Sequence, residues 1–441
     1  MEQPSELRAV ARLAAPIVLA ELGWAGMGLV DTMVVGRVSS EAMAAVGLGA
    51  VIFYGVGMCA SGLLLGQDAL VSQAFGAGDR EDYHRSLVNG VWLALLLIPV
   101  VMGAVWAFNP VLPLFGIRPE VLHATWPYLH ALIWSAPGLL LYLALRRYLQ
   151  GIHAVAPVMW TLLTANLINL AGNWVLVFGH LGAPAMGAAG SGWATCFSRI
   201  YMAAVLAAVV LRRDPAVRRA SWRPDAKRLG QLLRLGAPAA GQIAWEVGVF
   251  EVVTILVARL SAAQLASHQI ALAVVSTTYM MPLGISSAAA VRVGFGLGRA
   301  DPRAAARAGW AALALGATAM SLAALALLAA PASIARMFTS QADVIAPAMT
   351  LLRISAFFQL FDGLQVVATG ALRGSGDTHT PMLCHFAGYW LVGLPLGSAL
   401  CFWHGMGAAG LWTGLSTGLI LIGITLTFLW SRAARAFPVL K

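Results

Sequence analysis

Long apolar stretches recur along almost the whole chain, each close to or longer than the roughly 20 residues a helix needs to cross the hydrocarbon core of a bilayer. They lie at 9–35, 43–74, 87–108, 122–150, 156–178, 187–211, 232–258, 264–295, 304–329, 344–372, 380–402 and 405–430. A β-barrel would show short alternating segments of about ten residues instead. With those absent, helices are what satisfies the backbone in lipid. Composition agrees: 60% of the 441 residues are hydrophobic, 10% are charged and the mean hydropathy is +0.80, outside the range of soluble globular chains. The expected fold class is an all-α integral membrane protein with twelve transmembrane helices.

The positive residues test that count independently, because cytoplasmic loops attract Lys and Arg. With both termini inside, the cytoplasmic loops collect most of them, from Arg8 and Arg12 through Arg212, Arg213, Lys227 and Arg228 to Arg432, Arg435 and Lys441. The outer loops hold Arg37, Arg118, Arg259 and Arg336, and Arg199 and Arg353 fall within spans. The net charge of +10 therefore reads as topology. It does not read as nucleic-acid binding, since no basic stripe interleaved with stacking aromatics lies outside the membrane. Cys59, Cys196, Cys384 and Cys401 have no CxxC spacing, so neither a metal site nor a disulfide framework is visible. The first apolar run is long and carries Glu21 and Asp31, and is expected to be a retained helix and not a signal peptide.

The second half copies the first. "VGRVSSEAMAAVGLGA" from Val35 lies against "VARLSAAQLASHQIAL" from Val257, and the same shift sets Gly76 on Gly298 and Asp79 on Asp301. "LQGIHAVAPVM" resembles "LRGSGDTHTPM" at nearly the same shift. Two halves of six spans share one orientation in the bilayer, which predicts pseudo-symmetric six-helix bundles over 1–210 and 232–441, joined by a basic cytoplasmic linker, 211–231. Repeated bundles of this kind are the usual plan of secondary transporters. Because the duplication supplies both halves of a site, a monomer suffices.

Six acids lie within spans: Glu21 and Asp31 in span 1, Asp68 in span 2, Glu246 and Glu251 in span 7 and Asp362 in span 10. A charge at the bilayer centre costs about 2.5–3.5 kcal/mol on insertion scales, so each is a functional candidate. Glu246 and Asp362 are nearest mid-span. Two carboxyl groups in one low-dielectric cavity make proton and cation compete for the same place, which is the core of an antiporter. The competing reading is a structural acid satisfied by a partner, for example Asp362 by Arg353. In span 5, Asn169 and Asn173 are four apart and share a helical face, where their amides can bind a cation, bond Asp31 or simply join helices. Tyr279, Met280, Met281, Phe357, Phe358, Tyr389 and Trp390 are candidates to line a cleft for flat apolar cations. "GFGLG" at Gly294 follows a membrane helix with no βαβ unit around it, and there is no P-loop lysine, so nucleotide-driven pumping and an enzymatic cofactor are not expected.

"LVDTMVVGRVSSEAMAAVGLG", "GQIAWEVGVFEVVTILVARLSAAQLASHQIAL" and "GALRGSGDTHTPM" resemble the multidrug and toxic compound extrusion family. "NWVLVFG" with the span-7 glutamate resembles its NorM branch. The resemblance covers nearly the whole chain. It implies a V-shaped pair of six-helix bundles in a bacterial inner membrane, exporting organic cations and drugs in antiport with Na+ or H+. Carried over by residue, Glu246 and Asp362 match the C-lobe cation site, where Na+ is the candidate ion. Asp31, Asn169 and Asn173 match the N-lobe polar site; from residue type and position alone, Tyr279, Phe358 and Glu251 are further candidates for substrate or cation contact. Where some members carry Asp, this chain has Asn173, which removes a titratable group from the N-lobe and favours the C-lobe pair. Two alternatives stay open: a flippase of lipid-linked saccharides or another exporter of the superfamily, and an ion channel. The flippase would need a basic cavity, whereas these spans hold two arginines against six acids.

Overall fold

The computed structural model describes residues 6–115, 119–219 and 221–437. Arg118 and Lys441, placed above in an outer loop and at the inner terminus, lie outside the described residues. Every regular element among the described residues is a helix. Span 1 is Glu6–Val35, span 2 Ser40–Ala77, span 3 Arg80–Ala107, span 5 Val155–Phe178, span 6 Ala188–Arg213 and span 7 Ala226–Ala258. Spans 8 to 12 are Ala262–Gly298, Pro302–Ala329, Ala342–Ser375, His379–Phe402 and Ala408–Ala436. Span 4 is the pair Pro119–Ile133 and Ala136–Gly151, bent by 44°. The bend falls where Pro137 opens the second piece, since proline has no N–H to continue the preceding helix. With that pair counted as one, twelve helices among the described residues are long and apolar enough to span a membrane, as the hydropathy pattern predicts, and the chain is a multi-pass membrane protein.

The internal repeat is carried by caps and turns as much as by spans. Asp79 accepts the Asp82 N–H at 3.0 Å to open span 3, and Asp301 accepts the Ala304 N–H at 2.8 Å to open span 9. Ser39 and Ser261 cap spans 2 and 8 in the same way. Left-handed backbone recurs at matching positions although the residues differ. Gly78 (φ 73°) corresponds to Ala300 (φ 55°), and His153 (φ 61°) to Gly376 (φ 94°). A fixed turn geometry survives in both halves even where a side chain makes it costlier than glycine would.

Packing divides the chain into two compact units, Leu22–Ala240 and Met1–Glu21 with Gly241–Lys441. These bounds differ from the expected 1–210, 211–231 and 232–441, and small residues explain why. Within the first unit, the beginning of span 7 lies so close to span 2 that a Cβ on Gly62 would sit 2.5 Å from Ala240 Cα. Within the second unit, the beginning of span 1 meets span 8, where a Cβ on Gly284 would sit 2.8 Å from Val18 Cα. The shift that lays Val35 on Val257 also lays Gly62 on Gly284 and Val18 on Ala240. Close backbone approach through small residues is how membrane helices gain packing in the absence of a water-driven hydrophobic effect.

The basic linker likewise belongs to the first unit. His84 Nε2 lies 2.6 Å from Asp214 Oδ2, Arg85 pairs with Asp225, and Arg228 pairs with Asp82. The Asp225 N–H donates to Asn89 Oδ1 at 2.8 Å, and Trp92 Nε1 donates to the Trp222 carbonyl at 2.9 Å. The segment expected as a tether is therefore strapped along the start of span 3. Asp225 lies between spans, and its hydrogen bond from Arg85 holds its carboxyl below the usual carboxylate range.

Candidate functional site

In the second unit, spans 7 and 10 bring Glu246 and Asp362 to one amide. Gln365 Nε2 lies 3.1 Å from Asp362 Oδ1, 3.4 Å from Glu246 Oε1 and 3.3 Å from the Tyr389 hydroxyl. A primary amide has two N–H hydrogens, so three acceptors compete for two donors. Glu246 is 8% exposed and Asp362 3%. Asp362 Oδ2 and Gln365 Oε1 are both buried oxygens with no hydrogen-bond partner. Unsatisfied buried oxygens of this kind need an explanation, and a proton, a cation or water supplies what they lack.

A second layer orients Glu246. Tyr279 and Gln242 stand beside it, and His385 Nε2 stands 4.0 Å from its Oε2. The Nδ1 of His385 is 2.7 Å from the Pro381 carbonyl, which fixes the proton on Nδ1 and leaves Nε2 as an acceptor for Gln242 Nε2 at 3.4 Å. Span 11 winds as a π-helix over Phe386–Gly393, which contains Tyr389 and begins just after His385. Such widened turns interrupt the normal hydrogen-bond ladder and cluster at functional places.

The first unit holds a second polar cluster. Asn173 Nδ2 donates to Asp31 Oδ1 at 2.7 Å and to Asn169 Oδ1 at 3.2 Å. Thr195 Oγ1 donates to Asp31 Oδ2 at 2.7 Å and accepts from Asn169 Nδ2 at 3.3 Å. Asp31 thus has both oxygens satisfied by neutral donors, one of the roles left open by the shared face of Asn169 and Asn173, with span 6 adding a partner. The reading of Asp362 as a partner of Arg353 fails: Arg353 is exposed, more than two turns earlier in the same helix.

Three other expectations change. Phe358 is buried and stacks on Trp412, with centroids 6.2 Å apart, so it packs the core and does not line a cavity. Phe357 is 72% exposed. Glu251 is exposed on span 7 and is not part of the Glu246 cluster, because five residues along a helix turn a side chain well away from its starting face. Of the remaining acids, Asp68 lies 3.6 Å from Arg147, and Glu21 is buried. Gln242 and Gln365 were missed, although each lies one turn from a mid-span acid, Glu246 and Asp362 respectively, which is the signal that could have found them. Thr195, which joins from a distant span, carried no local signal, nor did His385.

A family model described as MatE matches residues 16–175 and 238–398. The chain belongs to the MatE family. Its two matched blocks fall on the two repeats, the first containing Asp31, Asn169 and Asn173, the second Glu246 and Asp362. Among curated MatE relatives, a "Probable multidrug resistance protein NorM" of Mesorhizobium japonicum is 37% identical, covering 99% of this chain and 96% of the relative. "Multidrug resistance protein PmpM" of Pseudomonas aeruginosa is 37% identical over 98% and 93%. In fold, the chain is similar to the crystal structure of the eukaryotic MATE transporter AtDTX14, with TM-score 0.88 and 21% identity, covering 98% and 97%. The all-helical MATE transporter fold expected from the sequence is the fold of this MatE chain.

Proposed function

We propose that the protein is a secondary multidrug efflux transporter that exports organic cations in exchange for inward Na+ or H+, and that Glu246 and Asp362 form the exchange site. The observation that carries this reading is the single Gln365 amide facing both carboxyl groups, with two further buried oxygens unsatisfied beside it. Two carboxylates in an apolar surround do not both remain charged and uncompensated. A proton on one, or a cation among their oxygens, restores the balance. The arrival of one ligand then releases the other. Tyr279 and Gln242 hold Glu246 in place while the charge balance changes, and His385 offers a lone pair in its direction.

The names of the curated relatives support drugs as cargo, and the site's acids favour cationic ones. Na+ is a transported ion here and not a resident cofactor. Asp31, with Asn169 and Asn173, is a secondary coupling candidate. The lysine and arginine distribution supports, within this reading, both termini on the cytoplasmic side of a bacterial inner membrane, and the internal duplication supports one chain as the working unit. Ethidium efflux from proteoliposomes tests the reading, with a Na+ gradient alone and then a pH gradient alone. Saturable efflux under either gradient supports antiport. Efflux indifferent to both gradients would overturn it.

A further inference from the structure

Arg199 is fully buried in the middle of span 6, yet its guanidinium is held only by neutral groups. Nη1 donates to Ser135 Oγ at 2.6 Å and Nη2 to the Tyr54 hydroxyl at 3.0 Å. The rings of Phe53, Tyr54 and Trp24 surround it at 4.8, 5.5 and 5.8 Å, and Nε has no hydrogen-bond partner. Among the described residues no carboxylate forms an ion pair with it. Burying a charge without a counter-charge is costly, and aromatic faces offset only part of that cost.

The register of two helices shows where the balance comes from. Arg199 lies one turn from Thr195 on span 6, and Thr195 donates to Asp31. Trp24, which faces the guanidinium, lies two turns from Asp31 on span 1, on the same helical face. The two helices therefore run side by side, with Asp31 and Thr195 at one level and Trp24 and Arg199 at the next. Aromatic rings together with a nearby acid are what recognise an organic cation, and here the chain's own guanidinium fills them.

We propose that Arg199 is a built-in counter-cation of the Asp31 cluster and, through it, a specificity-determining residue. It keeps free organic cations out of the first unit, so that their exchange falls to Glu246 and Asp362. The inference rests on the exchange-site reading above only for that last step. The contrast with the second unit is direct: the groups placed on Glu246 and Asp362 are amides, phenols and an imidazole, and none of them is a lysine or arginine.

The test is equilibrium dialysis of purified protein against tetraphenylphosphonium, a cation with no hydrogen-bonding groups. Arg199→Gln is expected to bind one more tetraphenylphosphonium per chain than wild type. Arg199→Lys, which keeps the charge, is expected to match wild type, and Arg199→Gln with Asp31→Asn to lose the added site. If Arg199→Gln binds as wild type does, or if Arg199→Lys gains the site equally, the proposal is overturned. Where Arg199→Gln proves too unstable to dialyse, melting temperatures decide. The double variant should melt above Arg199→Gln, because it removes the orphaned acid; additive losses would contradict the pairing. Loss of gradient-driven efflux has no bearing on this binding result, so failure of the transport reading and failure of this one are separable.

Discussion

Gln365 sits one helical turn beyond Asp362 and hydrogen-bonds its carboxyl at 3.1 Å, using the same nitrogen that faces Glu246. Replacing it by leucine keeps the bulk and removes the bridge. A hydrogen bond to a charged group is worth about 1.5–3 kcal/mol. Because that amide stabilises the charged carboxyl groups in competition with a proton, Gln365→Leu is expected to tighten proton binding by about 10- to 100-fold, read as a fall in the half-saturating H+ concentration of ethidium efflux. An unchanged half-saturation would show that the bridge has no part in exchange.

Phe358 makes a contrasting case. Its ring is packed on Trp412 in the core, so Phe358→Ala should lower stability by about 3–5 kcal/mol. The checking measurement is thermal melting in detergent, alongside efflux at a temperature where the variant remains folded. A large change in drug preference with an unchanged melting point would place Phe358 at the cargo instead.

The first unit gives a prediction about stability alone. Asn173→Leu removes the donor that satisfies Asp31 Oδ1 at 2.7 Å and leaves a buried carboxyl oxygen unpaired. The expected cost is about 1–3 kcal/mol. Thermal melting reads it, and Thr195→Val should behave similarly, because it removes the donor to the other oxygen.

The linker strap should respond to pH. Asp225 has its carboxyl held below the usual range by Arg85, so its contribution is present above the ordinary aspartate pKa of about 4 and is lost as pH falls through the lowered folded value. At neutral pH the strap is in place. Asp225→Asn imitates protonation there, and should speed tryptic cleavage at Arg223 and Lys227. Cleavage at the wild-type rate would mean that Asp82, Asp214 and Trp222 hold the strap without Asp225.

The twelve spans, the repeat and the two mid-span acids were legible because insertion in lipid imposes long apolar runs and makes each intramembrane charge conspicuous. Helical spacing showed that Asn169 and Asn173 share a face and left the bond from Asn173 to Asp31 as one of several open readings. Unit bounds were not, since they depend on Gly62 meeting Ala240 and Gly284 meeting Val18, contacts between helices far apart in sequence. Phe358 and Glu251 were misplaced for a related reason: residue type and depth in a span say nothing of which way the helix face turns. Tyr389 was named as a lining aromatic, but its hydroxyl's place at Gln365 was not, because the π-helix of span 11 leaves no mark in regular spacing; His385, just before it, was not singled out.

The most direct test of the central claim is ethidium efflux from proteoliposomes carrying Asp362→Asn or Glu246→Gln, compared with wild type at equal, verified insertion and under whichever gradient drives the wild type. The account predicts that each substitution lowers the gradient-driven rate by at least about tenfold, corresponding to about 1.4 kcal/mol or more. Wild-type rates in both variants would contradict it.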